Sequence, residues 1–359
     1  MRTYARTVLV LAAAAALLLL FLRNVDLWRV GVDILRARPG WLVFALAASF
    51  ANLAIRAYRW QYLLEPLGRP PFGPALRATA VGFAANAVLP ARAGEVIRPY
   101  FLARTLRLDG RADADRLNTT GAFATIIVER LLDVLTVIAL LVCYVFIFGR
   151  HIQRTHPSAF IGLEWTAATA ALTAVGGLIA LFVIAGNPQR LRILTARLAR
   201  ILPAAIATAV AHIAEKFAHG LAVVRQPARL AIAFALSIPL WLTIAAGVWG
   251  VAVAFGMAVP FTGAFLIVAF LALGVAVPTP GAVGGFHAAF RYGATTFFDA
   301  PDEAAVGAAI VAHLFSIGPS LLLGLFFAAR EGISVAGMRH LADGVDQRTP
   351  SRAVQGGRR

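Results

Sequence analysis

The chain has 359 residues, of which 60% are hydrophobic and 14% charged, and its 33 Lys and Arg outnumber 17 Asp and Glu to give a net charge of +16. Soluble domains have roughly 25% charged residues, so the composition excludes a soluble globular protein and predicts an integral membrane protein. Basic residues of membrane proteins concentrate in cytoplasmic loops near anionic lipid headgroups, so we expect those headgroups, rather than nucleic acid, as partners.

Six apolar stretches are predicted to cross the bilayer, which takes about 20 helical residues. The first follows two N-terminal arginines and is slightly short. We interpret it as a retained span that enters from the cytoplasm, because no cleavage site followed by a soluble domain comes after it. The six predicted spans are Met1–Phe21, Gly40–Ile55, Gly121–Phe148, Trp165–Ala185, Leu230–Phe255 and Ala304–Ala329.

The segments between the spans are mostly basic. Arg23–Pro39 is predicted to be a polar connector and Arg150–Gly162 a short polar loop, while Arg56–Trp60 resembles an arginine and aromatic belt at the membrane interface. Asn187–Arg225 has apolar residues at helical spacing among arginines, which is typical of amphipathic helices on the membrane surface. The tail 331–359 is predicted to be disordered and cytoplasmic.

Two further apolar stretches, Leu76–Leu89 and Phe261–Val277, are too short to cross and end in proline and glycine. A short helix, a break and a return predict a re-entrant hairpin. Prolines stop helices, whereas glycines allow positive φ and close backbone approach, so we expect mainly structural roles there. The residues concerned are Pro90, Gly94, Pro278, Pro280, Gly281, Gly284 and Gly285.

The order of these elements predicts two inverted halves, about 1–150 and 151–330. Each half has two spans, a hairpin and one further span, and an odd number of spans reverses the orientation of the second half. The predicted fold is therefore all-α and polytopic, with about six transmembrane helices and two re-entrant hairpins in a single membrane domain, 1–330. With both termini in the cytoplasm, 23 Lys and Arg lie inside, 7 lie outside and 3 (Arg92, Arg98 and Arg130) lie at membrane depth. This bias favours the orientation in the inner (cytoplasmic) membrane.

Arg92 and Arg98 flank the first break and are candidate ligands for a lipid phosphate. A guanidinium has a planar fork of donors that fits phosphate oxygens, and a backbone break supplies further N–H donors. The alternative is that both arginines extend to the headgroups at the interface. Asn86 is predicted to cap or hydrogen-bond the hairpin tip.

Four more charged residues lie at membrane depth: Glu95, Glu129, Arg130 and Asp133. Glu129 and Asp133 are four residues apart and share one helix face. Charges in lipid are costly, so these groups should face the interior and pair with arginines. They form either a structural ion network or a network that exchanges partners with a headgroup, with a carboxylate as a possible site for a coupling proton; the two interpretations are compatible.

Other polar residues give weaker predictions. His287, and likewise His313, would titrate near neutral pH and is a candidate proton or substrate site, although a lone histidine is more often simply hydrogen-bonded. No Cys/His spacing suggests a metal, the single Cys143 fits a buried apolar role, and with Lys216 as the only lysine there is no P-loop. We therefore expect no cofactor and no enzyme activity.

Several motifs together resemble the transmembrane flippase-like family, the membrane region of lysylphosphatidylglycerol synthases and its free-standing relatives. The motifs are Arg59-Trp60, Gly82-x-x-x-Asn86-x-x-Leu89-Pro90-x-Arg92-x-Gly94-Glu95-x-x-Arg98, Glu129-Arg130-x-x-Asp133 and Pro278-x-Pro280-Gly281-x-x-Gly284-Gly285. Synthases continue into a soluble aminoacyl-transfer domain, so this chain is expected to be a free-standing member. Relatives often have a glutamate just after the second glycine motif, where this chain has His287 nearby.

The resemblance implies transport of a phospholipid or lipid-linked intermediate across the cytoplasmic membrane. The substrate-binding candidates are Asn86, Arg92, Glu95, Arg98, Glu129, Arg130, Asp133, Arg59 and His287. Two alternatives stay open: a membrane-embedded lipid-modifying or glycosyl-transfer enzyme or its accessory subunit, and a structural partner of another membrane complex. A homo-oligomer or a partner enzyme is possible in each case.

Overall fold

The structure is a computed structural model and describes residues 16, 18–19, 21–22, 25–89, 92–108, 119–186, 226–276 and 279–332. This part of the chain is helical, with a π-helical turn at Tyr144–Phe148 and a 3₁₀ turn at Pro280–Ala282. The α-helices are α1 Leu27–Arg36, α2 Pro39–Leu64, α3 Phe72–Val88, α4 Gly94–Leu108, α5 Thr119–Cys143, α6 Arg150–Thr155, α7 Pro157–Gly186, α8 Pro227–Ala254, α9 Gly263–Ala276, α10 Gly285–Phe298 and α11 Asp302–Arg330.

Five helices are long and apolar enough to cross a membrane, namely α2, α5 with the π turn, α7, α8 and α11. They correspond to five of the six predicted spans. Large apolar side chains such as Trp165 and Leu172 on α7 and Leu322 on α11 are exposed, as expected where a helix contacts acyl chains. Most of the first predicted span, the segment 187–225 and the tail from 333 lie outside the described residues.

The structure corrects two predicted loops. Arg23–Pro39 contains helix α1, whose start is capped by Asp26 through hydrogen bonds from the backbone N–H groups of Trp28 and Arg29. The polar composition of this segment gave no sign of a helix. In the structure Val30 packs inward, while Trp28 and Leu35 are exposed. Arg150–Gly162, predicted as a loop, consists instead of α6 and the first turns of α7.

Two pairs of shorter helices, α3 with α4 and α9 with α10, pack closely through glycine. A Cβ atom built on Gly94 would lie 1.8 Å from the carbonyl oxygen of Gly82, and one on Gly285 would lie 2.2 Å from that of Gly274. No side chain fits at either contact. The prediction that Gly94 and Gly285 allow close backbone approach is therefore confirmed.

Packing of these helices places polar side chains at one junction. Helix α2 packs along α8 and α3 packs along α11. One apolar core extends over α5 and α7 to α11, and a second surrounds Trp60 between α2, α3 and α4. The charged residues of α2, α4 and α5 lie at the junction of these elements, beside the small apolar cluster around Leu63 and Leu132.

Candidate functional site

Arg56 and Arg59 lie inside the protein rather than in an interfacial belt. Helix α2 extends to Leu64, so these arginines stand in its second half, with relative exposures of 7% and 0%. The adjacent Trp60 is also fully buried. The predicted belt at Arg56–Trp60 is therefore wrong, because these side chains face carboxylates on α5 instead of headgroups.

Glu129 is the centre of the cluster and is completely buried. Its Oε2 lies 3.0 Å from Nη1 of Arg98, which donates a hydrogen bond to it. Its Oε1 lies 3.3 Å from Nη2 of Arg59 and 3.5 Å from Nη1 of Arg56. Nη2 of Arg130 is 3.6 Å from the same oxygen. A single carboxylate thus contacts four arginines from three helices.

Asp133, one turn further along α5, shares three of these partners. It lies 2.8 Å from Nη2 of Arg59 and 3.3 Å from both Arg56 and Arg130. Its Oδ1 also accepts a hydrogen bond of 3.1 Å from the indole N–H of Trp241 on α8. The prediction that Glu129 and Asp133 share one helix face is confirmed.

Arg98 is 3% exposed and only partly satisfied. One face of its guanidinium stacks on the ring of Trp60, with 3.9 Å from Cζ to the ring centroid, and Trp60 in turn donates a hydrogen bond to Thr125. Its Nε and Nη2 are buried and have no hydrogen-bond partner among the residues that the structure describes. These two nitrogens form one edge of the guanidinium, the geometry that binds phosphate or carboxylate through two parallel hydrogen bonds.

A narrow cleft lies beside Arg98, and its free space of about 10 Å³ is that of roughly one water molecule. Its polar lining comes from Asn86, Glu95, Arg98 and Arg130. Asn86 also accepts a 2.8 Å hydrogen bond from the backbone N–H of Gly94, which confirms that it caps the start of α4. Glu95 and Arg130 are the outer members, with side-chain exposures of 24% and 36%.

Arg92 is the other arginine predicted to bind a lipid phosphate, and its hydrogen bond lies outside this cluster. Arg92 is exposed, has a φ of 55°, and donates a 3.0 Å hydrogen bond to the carbonyl oxygen of Val275 at the end of α9. Within the described residues it forms no ion pair with Glu129 or Asp133. It connects the first helix pair to the second.

The second helix pair contains His287 on α10, which lies beside His313 on α11. His287 is buried and its Nδ1 accepts a 3.3 Å hydrogen bond from the N–H of Gly284, while Nε2 of His313 lies 2.7 Å from the carbonyl oxygen of Gly281. The two rings are 4.4 Å apart. Gly281 and Gly284 have φ of 59° and 87°, as predicted for these glycines. Pro90 and Pro278 lie outside the described residues, and Pro280 begins the 3₁₀ turn.

The cluster has more positive than negative charge. The four arginines Arg56, Arg59, Arg98 and Arg130 face three carboxylates, which leaves one positive charge in excess at the cleft. Buried ion networks are costly unless each charge is paired, and removing one partner is strongly destabilising. The excess charge and the unpartnered edge of Arg98 together suit an anion. Among the described residues, no group of three or more His, Cys, Asp and Glu is placed to hold a metal ion.

Sequence reasoning missed the contribution of α8 and misjudged that of Arg56. Ser237 accepts a 2.6 Å hydrogen bond from Nη1 of Arg59, and Trp241 lies one turn further on the same helix face. The charges on α2 could have indicated that its arginines are buried. Arg56 and Arg59 are three residues apart in a 26-residue apolar helix, so they share a face that must turn away from lipid.

The helices and this cluster define a multi-pass, all-helical membrane protein with a buried charged site. Residues 7–324 match the family model described as the lysylphosphatidylglycerol synthase TM region, and the chain belongs to that family. The resemblance seen in the sequence motifs is confirmed. No curated protein sequence matches the chain.

Proposed function

We propose that this protein moves a phospholipid or a lipid-linked intermediate between the leaflets of the cytoplasmic membrane and binds the headgroup phosphate at Arg98. The main support is the buried Nε and Nη2 edge of Arg98, which has no partner in the described part of the chain and borders a cleft with an excess positive charge. A phosphate oxygen pair would satisfy both donors. The acyl chains would stay in the bilayer during the transfer.

The helix pairs support a transporter-like arrangement. Helices α3, α4, α9 and α10 have 17, 15, 14 and 14 residues, each shorter than the roughly 20 that cross a bilayer. We infer that each pair forms a re-entrant hairpin and that the two belong to inverted halves, as in transporters whose sites lie near the bilayer midplane. The hydrogen bond from Arg92 to Val275 joins the two pairs close to their breaks.

The proposal includes an orientation. The protein lies in the inner membrane with both its N- and C-termini in the cytoplasm. In this orientation the excess of Lys and Arg falls on the cytoplasmic side. The first hairpin then enters from the cytoplasm and the second from outside. A headgroup would reach Arg98 from the cytoplasmic side.

The test is lipid movement in proteoliposomes that contain the purified protein and acyl-labelled phosphatidylglycerol, with accessibility of the label to a membrane-impermeant reductant as readout. Arg98→Gln should lower the rate about tenfold or more, because a charge-assisted bond of about 1.5–3 kcal/mol is lost. This variant should still fold. It makes the cluster neutral, and Glu129 keeps three other arginines.

The matched control is Arg229→Gln, which removes an arginine from a part-buried ion pair with Glu65 outside the cluster. It should move lipid at the wild-type rate. Equal rates for Arg98→Gln and the wild type would contradict the binding role of Arg98. A wild-type protein that moves no phospholipid would contradict the proposed function and favour the enzyme or accessory-subunit alternatives.

A further inference from the structure

The cleft beside Arg98 already contains an anion of the chain's own, the carboxylate of Glu95. Glu95 stands in the first turn of α4, three residues before Arg98, and both side chains line the cleft. Across the cleft, Nε of Arg130 lies 3.5 Å from Oε1 of Glu95. That nitrogen is buried and makes no hydrogen bond to any described residue, so the ion pair is loose.

Glu95 differs from the other two carboxylates of the cluster. Glu129 and Asp133 are buried and each contacts at least three arginines, whereas the ion pair of Glu95 within the described residues is with Arg130 alone. Glu95 also has the most exposed side chain of the three, at 24% against 0% for Glu129 and 7% for Asp133. Ion pairs of this kind contribute little and separate easily. Of the three, Glu95 is the carboxylate that can leave its partner.

We propose that Glu95 is a displaceable counter-ion which an anionic headgroup replaces. On binding, the phosphate would take the free edge of Arg98 together with Arg130, and the Glu95 carboxylate would turn outward. The proposal rests on the proposed function and adds a substrate class: lipids whose headgroups have a net negative charge. A headgroup with its own ammonium would gain less, since its cation would oppose the excess positive charge of the cluster.

A returning carboxylate also gives a physical reason for release. A transport site must bind its substrate well enough to admit it and weakly enough to let it go, as for ions in selective pores. Competition from Glu95 for Arg130 lowers the affinity of the loaded state. Removing that competition should therefore raise the affinity for the lipid and slow its release, so that tighter binding goes with slower transport.

The test uses the purified full-length protein in detergent, with dioctanoyl phosphatidylglycerol as the anionic probe and dioctanoyl phosphatidylcholine as the zwitterionic probe. Glu95→Gln should bind the anionic probe about three- to tenfold more tightly than the wild type, with little change for the zwitterionic probe. In proteoliposomes the same variant should move phosphatidylglycerol more slowly. The double variant Glu95→Gln/Arg130→Gln should lose the gain in affinity.

The matched control is Glu65→Gln, since Glu65 is a carboxylate of similar exposure, 26%, paired with Arg229 away from the cleft. It should bind both probes with wild-type affinity. If Arg98→Gln abolishes binding but Glu95→Gln leaves the affinity unchanged, the counter-ion role is overturned while the proposed function stands. Weaker binding of the zwitterionic probe by Glu95→Gln would also overturn it, because Glu95 would then be a ligand for the ammonium. Absence of phosphatidylglycerol binding in both the wild type and Glu95→Gln would overturn both proposals.

Discussion

The two pairs of shorter helices share a backbone contact but differ in chemistry. In the first pair Gly94 touches Gly82, and in the second Gly285 touches Gly274. The register continues four residues later. A Cβ on Gly82 would meet the Cβ of Arg98 at 2.8 Å, and a Cβ on Gly274 would meet that of Ala289 at the same distance. An arginine in one pair thus corresponds to an alanine in the other.

From this difference we infer that the first pair is the one suited to an anion. In the first pair, Arg98 contacts a carboxylate of α5, and its Nε and Nη2 have no partner among the described residues. In the second pair, the corresponding position is Ala289, and two nearby histidines bond to the backbone of a turn. A shared backbone geometry therefore does not imply a shared function. We infer that the glycine contacts hold both helix pairs together and that the charged residues give the first pair its capacity to bind an anion.

The largest expected effect comes from Glu129→Gln, which breaks the charge balance of the first pair. Losing this carboxylate raises the excess charge among four buried or part-buried arginines, and breaking a buried ion network costs about 3–5 kcal/mol. We expect a sharp loss of folded yield and of melting temperature, measured by fluorescence during heating in detergent. Arg98→Gln should lose much less, since it makes the cluster neutral. Equal losses for the two variants would contradict this charge assignment.

A somewhat smaller effect, common to both pairs, is expected from Gly94→Ala and Gly285→Ala. Each new methyl would collide with backbone at about 2 Å, which forces the helices apart, and overpacking of this kind costs about 1–3 kcal/mol or more. Both melting temperatures should fall. Gly73→Ala is the control, because nothing lies within 4 Å of a Cβ there and alanine favours a helix. A fall for only one of the two would show that the contacts are not equivalent.

The sequence predicted the spanning helices well but not the side chains that meet between them. The length of an apolar run is a local property, and for this reason α9, Gly263–Ala276, nearly coincides with the predicted stretch Phe261–Val277. The surroundings of Arg59, in contrast, are not determined by the neighbouring sequence. An arginine next to a tryptophan suits both an interface and an interior, and the choice depends on partners on α5 and α8, which are distant in sequence.

The different surroundings of Arg92 and Arg98 have a similar cause. Both flank the same break, and the sequence does not reveal where the helix restarts. Because α4 begins at Gly94, Arg98 falls on the inner face, while Arg92 precedes the helix with a φ of 55° and turns toward Val275. With α4 starting at Gly94, Arg98 contacts Glu129 whereas Arg92 contacts Val275.

The smallest expected effect is that of His313→Phe, on α11 beside the second pair. The ring nitrogen bonded to the Gly281 carbonyl would be lost, at a cost of about 1 kcal/mol. We expect a slight fall in melting temperature and unchanged affinity for phosphatidylglycerol, measured with the dioctanoyl probe. Loss of affinity would place part of the anion site in the second pair and remove the contrast between the two.

The most direct test of the account is the position of a bound headgroup. A cryo-electron microscopy map of the protein in nanodiscs containing phosphatidylglycerol, with a bound antibody fragment as a marker, would locate the phosphate. The account predicts density within hydrogen-bond distance of Nε and Nη2 of Arg98, with the Glu95 side chain turned away from Arg130. Phosphate density at Arg92 or only at the protein perimeter, with the Arg98 edge empty, would contradict it.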